Sequence, residues 1–269
     1  FNMSKVVLVT GASSGIGRSI SLFLTNKGFK VYGTCRDPKK YSIYEYELLK
    51  CNINSSDEIK EAVNHILSKE NTIDVLINNA GIGITGPIEE TSDKEIKSAF
   101  QTNLFGPIEM IKKCIPTMRK NKSGLIINIT SILGYFGIPY RGIYCSSKSS
   151  LEIIGEVLSM ELKKFNIKVV NVAPGDFKTD IASRRIDVKL DNSSYYKGDY
   201  EKSINSANKH VNEAGSPNEV AILIYKIINS KSPKIHYLVG RFIQKFSIIL
   251  KNTLPDRLYE KILLKYSKN

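Results

Sequence analysis

Residues 10–17 read TGASSGIG, directly after the apolar run Val6-Val7-Leu8-Val9 and directly before a segment with Ile16, Ile20, Phe23 and Leu24 at helical spacing. No other feature constrains the fold of this chain as strongly as a strand that passes through a glycine turn into a helix. Gly11 can take the sharp turn off the strand, and Gly15 and Gly17 leave room for close backbone approach. The helix that follows opens with unpaired N–H groups and a partial positive charge, a seat for a phosphate. The spacing is GxxxGxG rather than the commoner GxGxxG, and a glycine-rich turn alone also occurs as a plain strand-to-helix loop.

The rest of the chain repeats the same rhythm. Apolar runs near 30–34, before Asn52, at Val75-Leu76-Ile77, at 125–129, at 167–172 and at 235–239 alternate with helix-periodic segments at 57–69, 92–118, 143–165 and 217–228. Strands alternating with amphipathic helices predict an α/β fold of the Rossmann type, a doubly wound and mostly parallel sheet of about seven strands with helices on both faces. With 269 residues the core needs no disulfide or metal, and a single domain over 3–240 is expected, Phe1 and Asn2 before Met3 being set aside as a remnant. Two segments fall outside the rhythm. Residues 181–215 are long and polar, with Tyr195, Tyr196 and Tyr200, and are expected to form a mobile lid over a substrate rather than core. Residues 241–269 form an extension in which Ile243, Phe246, Ile249 and Leu250, then Leu258, Ile262 and Leu263 beyond Pro255, recur at helical spacing among Lys245, Lys251, Lys261 and Lys265. This stripe can pack on its own fold, cover a pocket, extend a dimer contact or lie on an anionic membrane.

Composition narrows the classes further. The formal charge of +13 is spread as pairs such as Lys39-Lys40, Lys112-Lys113 and Lys163-Lys164, without a basic run or nucleic-acid motif, so no specific nucleic-acid partner is expected. Cys35, Cys51, Cys114 and Cys145 form no CxxC pair, and His65, His210 and His236 lie far apart, so reduced thiols and no metal are expected. The start of the chain lacks the apolar stretch of a secretory signal, and no run of 18 apolar residues occurs, which points to a cytoplasmic protein.

Cofactor choice in such sheets is decided at the end of the second strand. An acidic residue there would accept bonds from both ribose hydroxyls and repel a 2′-phosphate. Cys35 holds that place and Arg36 follows, a guanidinium that can grip a phosphate with two bonds, so NADP(H) is favoured over NAD. Downstream, Tyr144 and Lys148 are four apart on an expected helix and share one face. An ammonium beside a phenol stabilises the phenolate, so Tyr144 can move a proton near neutral pH as general acid or base. Ser131 ends a strand, where open α/β sheets bind ligands, and its hydroxyl can polarise a carbonyl.

TGASSGIG, NNAG at 78–81, Asn103 in QTNLFG, Ser131 in INITS, the YxxxK pair Tyr144 and Lys148, and Thr179 in PGDFKT stand in one order along the chain. Each has a bland reading as a turn, a cap or an exposed helix face, but together they resemble the short-chain dehydrogenase/reductase family over nearly the whole length. Residues 124–177 look most like bacterial members related to hydroxysteroid and retinol dehydrogenases. The resemblance implies catalytic roles for Asn103, Ser131, Tyr144 and Lys148, with Lys148 also on the nicotinamide ribose and Asn103 holding a water that links Lys148 to solvent. It further implies that the cofactor is held by Gly11, Ser13, Ser14, Gly15, Ile16, Gly17, Arg36, Asn52, Ile53, Asn79, Ala80, Gly81, Pro174, Gly175, Phe177 and Thr179. Asn52 departs from the aspartate usual at the adenine, though its amide oxygen can still accept from an amine.

The reading is hydride transfer between NADPH and a carbonyl or alcohol carbon of a small or lipophilic substrate, in a homodimer or homotetramer. Two rivals remain: a 3-oxoacyl-carrier-protein reductase, whose acidic partner would suit the charge, and a non-catalytic NADP-binding sensor. The sensor would be expected to have lost Tyr144, Lys148 or Ser131, and the carrier-protein reductases usually end soon after the last strand.

Overall fold

The computed structural model describes residues 4–42, 45–179, 184–212 and 214–266. In chain order it contains β1 (Val6–Val9), α1 (Gly15–Asn26), β2 (Lys30–Cys35), β3 (Glu47–Lys50), α2 (Ser56–Glu70), β4 (Val75–Asn78), β5 (Ile84–Thr85), α3 (Asp93–Phe100) and α4 (Gly106–Lys120). There follow β6 (Gly124–Ile129), α5 (Gly142–Glu161), β7 (Ile167–Pro174), β8 (Ile186–Asp187), α6 (Lys197–Asn212), α7 (Asn218–Ile228), β9 (His236–Val239), α8 (Phe242–Thr253) and α9 (Asp256–Tyr266).

Seven strands form one sheet in the order β3-β2-β1-β4-β6-β7-β9, and every pairing is parallel. Alternation along β1 feeds two cores. Val7 and Val9 meet Ile20 and Leu24 of α1 and Val220 and Ile224 of α7 on one face. Val6 and Leu8 meet Ile59 and Val63 of α2 and Met110 and Cys114 of α4 on the other. Ile20 and Leu24 are wholly shielded from solvent, each worth roughly 1.5–3 kcal/mol of transfer free energy. All four cysteines are free thiols and buried.

The sheet winds outward from β1 to β3 and then returns to β4 on the other side of β1. Ligands in such sheets bind in the crevice beyond the carboxyl ends at that reversal. The glycine turn after β1 and residues 79–81 after β4 both lie there.

One expectation is refined and another changes on contact with the structure. The helical segment expected at 92–118 is present, with one refinement: α3, opened by a capping box between Ser92 and Glu95, runs through a π-helical turn at Gln101–Phe105 into α4. The polar segment at 181–215 is not a loop outside the core. It contains β8, which pairs with β5 in a second, two-stranded sheet, and nearly half of it is α6. Val188 and Tyr200 within it are buried, and the Tyr200 hydroxyl donates to the Thr85 carbonyl at 2.8 Å. A few buried anchors among polar neighbours give no periodic signal over so short a span. The remaining call on this segment, its mobility, falls partly on 180–183 and 213, which lie outside the described residues.

The extension packs on its own fold. Tyr259 is buried edge-to-face against Phe136 at 6.2 Å, and Ile248, Leu250, Leu254 and Leu263 join the same cluster with Ile132 and Ala173. Two polar tethers hold it, Lys251 Nζ to the Tyr135 carbonyl at 2.6 Å and Gln244 Nε2 to Asp176 Oδ2 at 2.6 Å. Among the described residues no helix is long and apolar enough to cross a membrane.

Candidate active site

The glycine turn is built by close packing. Gly11 (φ +66°) and Gly15 (φ +54°) hold left-handed backbone, and a Cβ on Gly17 would fall 2.3 Å from the Gly11 carbonyl oxygen and 2.4 Å from Asn79 Nδ2. Residues 79–81 lock this turn from the neighbouring strand. Thr10 Oγ1 accepts from the backbone of Asn79 and Ala80, each at 3.0 Å, while Asn79 Nδ2 donates to the carbonyls of Thr10 and Gly11. The Asn79 side chain is thus committed to shaping the turn. The first turn of α1 leaves its N–H groups without carbonyl partners and faces the cavity through Gly15 and Ile16.

One cavity of about 1030 Å³ runs along the carboxyl ends of the strands. Of the expected site residues, Gly11, Ser13, Ser14, Gly15, Ile16, Arg36, Asn52, Ile53, Asn79, Ala80, Gly81, Ser131, Tyr144, Lys148, Pro174, Gly175, Phe177 and Thr179 line it. Gly17 and Asn103 do not: Gly17 sits beneath the turn, and Asn103 is fully buried. Arg36 is exposed at the rim, and its neighbour Asp37 pairs with Lys40 at 3.4 Å. Asn52 Oδ1 already accepts from the Asn54 backbone at 3.2 Å. Thr179 stands over Gly15, its side chain 3.3 Å from where a Cβ there would lie.

Tyr144 and Lys148 share a face of α5 beside Ser131, whose Oγ also caps the short turn after β6 by accepting from Leu133 at 3.2 Å. Burial pushes the Tyr144 phenol up from its ordinary value; the Ser131 hydroxyl and the Arg141 charge pull it back. Lys148 Nζ is turned to the Ile129 carbonyl at 2.9 Å, and Arg141, one helical turn before Tyr144, is a cation that favours the phenolate. Burial brings the Lys148 ammonium down to about 8, with Glu152 acting in the opposite direction.

Asn103 lies in the π-helical turn, a device that widens a helix locally and recurs at functional sites. Its amide exchanges two bonds with the backbone of Ile82, at 2.9 and 3.0 Å, and donates to Ser147 Oγ at 3.0 Å. A Cβ on Gly81 would lie 3.2 Å from Asn103 Oδ1 and 3.3 Å from Lys148 Nζ, so both polar atoms border the same small space.

Sequence reasoning missed the frame beneath these groups. Asn78, Asn128 and Asn171 sit side by side on β4, β6 and β7 and form a buried ladder through bonds of 3.0 and 3.1 Å. Asn171 then donates to the Glu152 carbonyl at 2.7 Å, tying the sheet to the helix that carries Tyr144 and Lys148. Asn128 and Asn171 interrupt otherwise apolar strands, a signal that could have marked them. Arg141, at i−3 from Tyr144, was equally readable. The cavity wall from Ile243, Gln244, Ser247, Leu250, Tyr259, Ile262 and Leu263 was not, because it depends on how the extension folds back.

The model of the short chain dehydrogenase family matches residues 5–189. The chain belongs to the short-chain dehydrogenase/reductase family. Over 260 residues it is 36% identical to a protein of Bacteroides thetaiotaomicron described as a 3-ketodihydrosphingosine reductase, with 96% of each chain covered. A short-chain dehydrogenase of Streptomyces avermitilis superposes with a TM-score of 0.82 at 27% identity, over 100% of both chains. ElxO with NADP bound superposes with a TM-score of 0.72 at 28% identity, over 88% of this chain and 96% of that one. As a member of this family the protein is an oxidoreductase of Rossmann-like fold.

Proposed function

We propose that this oxidoreductase uses NADPH to reduce a carbonyl group on a lipophilic substrate, with Tyr144 as the proton donor. The reading is carried by one observation: the glycine turn, Arg36 and the Ser131–Tyr144–Lys148 group all open into a single cavity whose far wall is largely apolar.

The residues fit the cofactor. The close-packed glycines and the N–H groups of α1 offer a seat for a pyrophosphate, and Arg36, with no carboxylate at Cys35, suits a 2′-phosphate. NADPH supplies the hydride when bound. Ser131 orients and polarises the substrate oxygen, and Tyr144 Oη gives that oxygen its proton. Lys148, which lines the cavity, would hold the ribose hydroxyls. Asn103 and Lys148 border a space that suits a water leading toward solvent. Thr179 and the backbone at Pro174-Gly175 would set the nicotinamide face, and Asn52 and Ile53 border the adenine end. In the reverse direction Tyr144 serves as base.

Leu133, Phe136, Ile138, Leu250 and Leu263 line the substrate side, which supports a lipophilic molecule. So does the relative described as acting on 3-ketodihydrosphingosine, a long-chain ketone. Residues 3–240 act as the catalytic domain, 181–215 cover the substrate, and the extension completes the pocket through side chains between Ile243 and Leu263. Exposed Ile153, Val157 and Met160 on α5 fit a contact between copies in a homo-oligomer. The test is NADPH oxidation with a panel of long- and short-chain ketones, aldehydes and a 3-oxoacyl thioester. Faster turnover of long-chain free ketones is expected. Preference for the carrier-bound thioester would favour the carrier-protein reductase, and no oxidation with any of them a non-catalytic sensor.

A further inference from the structure

A helix laid on a soluble protein normally turns its apolar stripe inward and its polar residues to water. α8 turns Ile248 and Leu250 inward but also carries apolar side chains on its outward side. Two polar groups of the helix are bonded to the fold, Gln244 to Asp176 and the exposed Lys251 to the Tyr135 carbonyl. Phe242, 75% exposed, stacks on Phe246 at 5.7 Å on the outward side, and Ile249 beside them is 56% exposed. On α9, Leu258 and Ile262 are likewise exposed, next to Lys261 and Lys265. Contiguous exposed apolar surface of this kind marks an interaction site.

This outward face runs into the cavity. Ile243 and Ile262 are both exposed and both line it, so the apolar surface continues from outside to the substrate side of the site without a polar break at these residues. The charge of the extension identifies the occupant. Residues 241–266 carry six cations, Arg241, Lys245, Lys251, Arg257, Lys261 and Lys265, against Asp256 and Glu260, a net +4. A second copy related by two-fold symmetry would bring this cationic surface against itself, which disfavours association. An anionic bilayer surface answers both features, taking the apolar side chains below the headgroups and leaving lysines among the phosphates.

We propose that the outward face of α8 and α9 docks the protein on an anionic lipid surface with the cavity mouth toward the bilayer, so that substrate enters from the membrane. The substrate part of this rests on the lipophilic-substrate reading above; the docking part does not.

Co-sedimentation with vesicles of phosphatidylcholine and phosphatidylglycerol in equal parts, and with phosphatidylcholine alone, tests it. The full chain should bind the mixed vesicles and lose at least about tenfold in partitioning on the neutral ones. Phe242→Ser with Ile249→Ser, and separately Lys261→Glu with Lys265→Glu, should each cost about tenfold or more on mixed vesicles. Both variants should oxidise NADPH with a short, water-soluble ketone at the wild-type rate, since none of the four residues lines the cavity. With a long-chain ketone carried in the vesicles, their rate should fall in step with binding. A full chain that stays in the supernatant, or binds both vesicle types equally, would overturn the proposal. So would a Phe242→Ser, Ile249→Ser protein that changes from oligomer to monomer by light scattering, which would assign the face to a contact between copies. If no carbonyl is reduced in any format, the reading of the reaction fails while the vesicle result stands by itself.

Discussion

The nucleotide half and the substrate half of the cavity are built on different principles. The nucleotide half is made by short, contiguous stretches whose backbone leaves almost no freedom. The turn after β1, residues 79–81 and the face of α5 each bring their groups to the cavity through local geometry. The proposed substrate half is lined by residues of β8, α6 and the two helices after β9, pieces that meet only because the chain folds back. Local constraint leaves a motif, whereas distant assembly leaves only scattered apolar residues. Chemistry is therefore readable in one half and specificity is hidden in the other.

Substitution at the tightest point should expose the first principle. Gly17→Ala places a Cβ against the Gly11 carbonyl, a backbone atom that cannot step aside. Overpacking of that kind costs typically ~1–3 kcal/mol and here also opens the phosphate seat. NADPH affinity by fluorescence titration should fall at least about 100-fold. An affinity within threefold of wild type would break the contrast between the halves.

Truncation after Gly240 should act on the other half. It strips the buried Tyr259, the half-buried Leu250 and one wall of the cavity. Stability in a urea titration should drop by about 3 kcal/mol or more. Provided the truncated chain still folds, kcat/KM for a long-chain ketone should fall about 100-fold while NADPH affinity changes by less than about threefold. Equal loss of both would mean that the halves are not separable.

How much could be read from the sequence follows the same division. The parallel sheet and its two faces follow from Val6, Val7, Leu8 and Val9, a strand buried on both sides. Ser131, Tyr144 and Lys148 were legible from position alone. The π-helical turn was not, because Asn103 fits a regular helix equally well in sequence and the widening comes from its bonds to Ile82. Helical spacing fixes the face that Tyr144 and Lys148 share but not where a long side chain ends, and the reach of Lys148 to the Ile129 carbonyl was not legible. α6 went unseen because Tyr200 is anchored by Thr85, more than a hundred residues earlier.

Smaller effects sharpen the account within the nucleotide half. Arg36→Ala should reduce the preference for NADPH over NADH about tenfold, the scale of one charge-assisted contact. Titration with both cofactors measures the ratio, and an unchanged ratio removes Arg36 from the 2′-phosphate. Lys148 carries its proton below about pH 8 and loses it above, since burial disfavours the charged form. A neutral amine offers the ribose hydroxyls no charge, so NADPH affinity should weaken severalfold as pH rises through about 8. The same titration of Lys148→Met should show no such step.

The central claim is that Tyr144 delivers the proton in an NADPH-dependent reduction. Single-turnover oxidation of bound NADPH by a long-chain ketone, in wild type and Tyr144→Phe, addresses it most directly. The variant removes one buried oxygen and leaves the ring. The account predicts a rate lower by about 10²–10⁴-fold, the range of general acid catalysis, with NADPH affinity within about twofold of wild type. A variant that turns over within tenfold of wild type would contradict it.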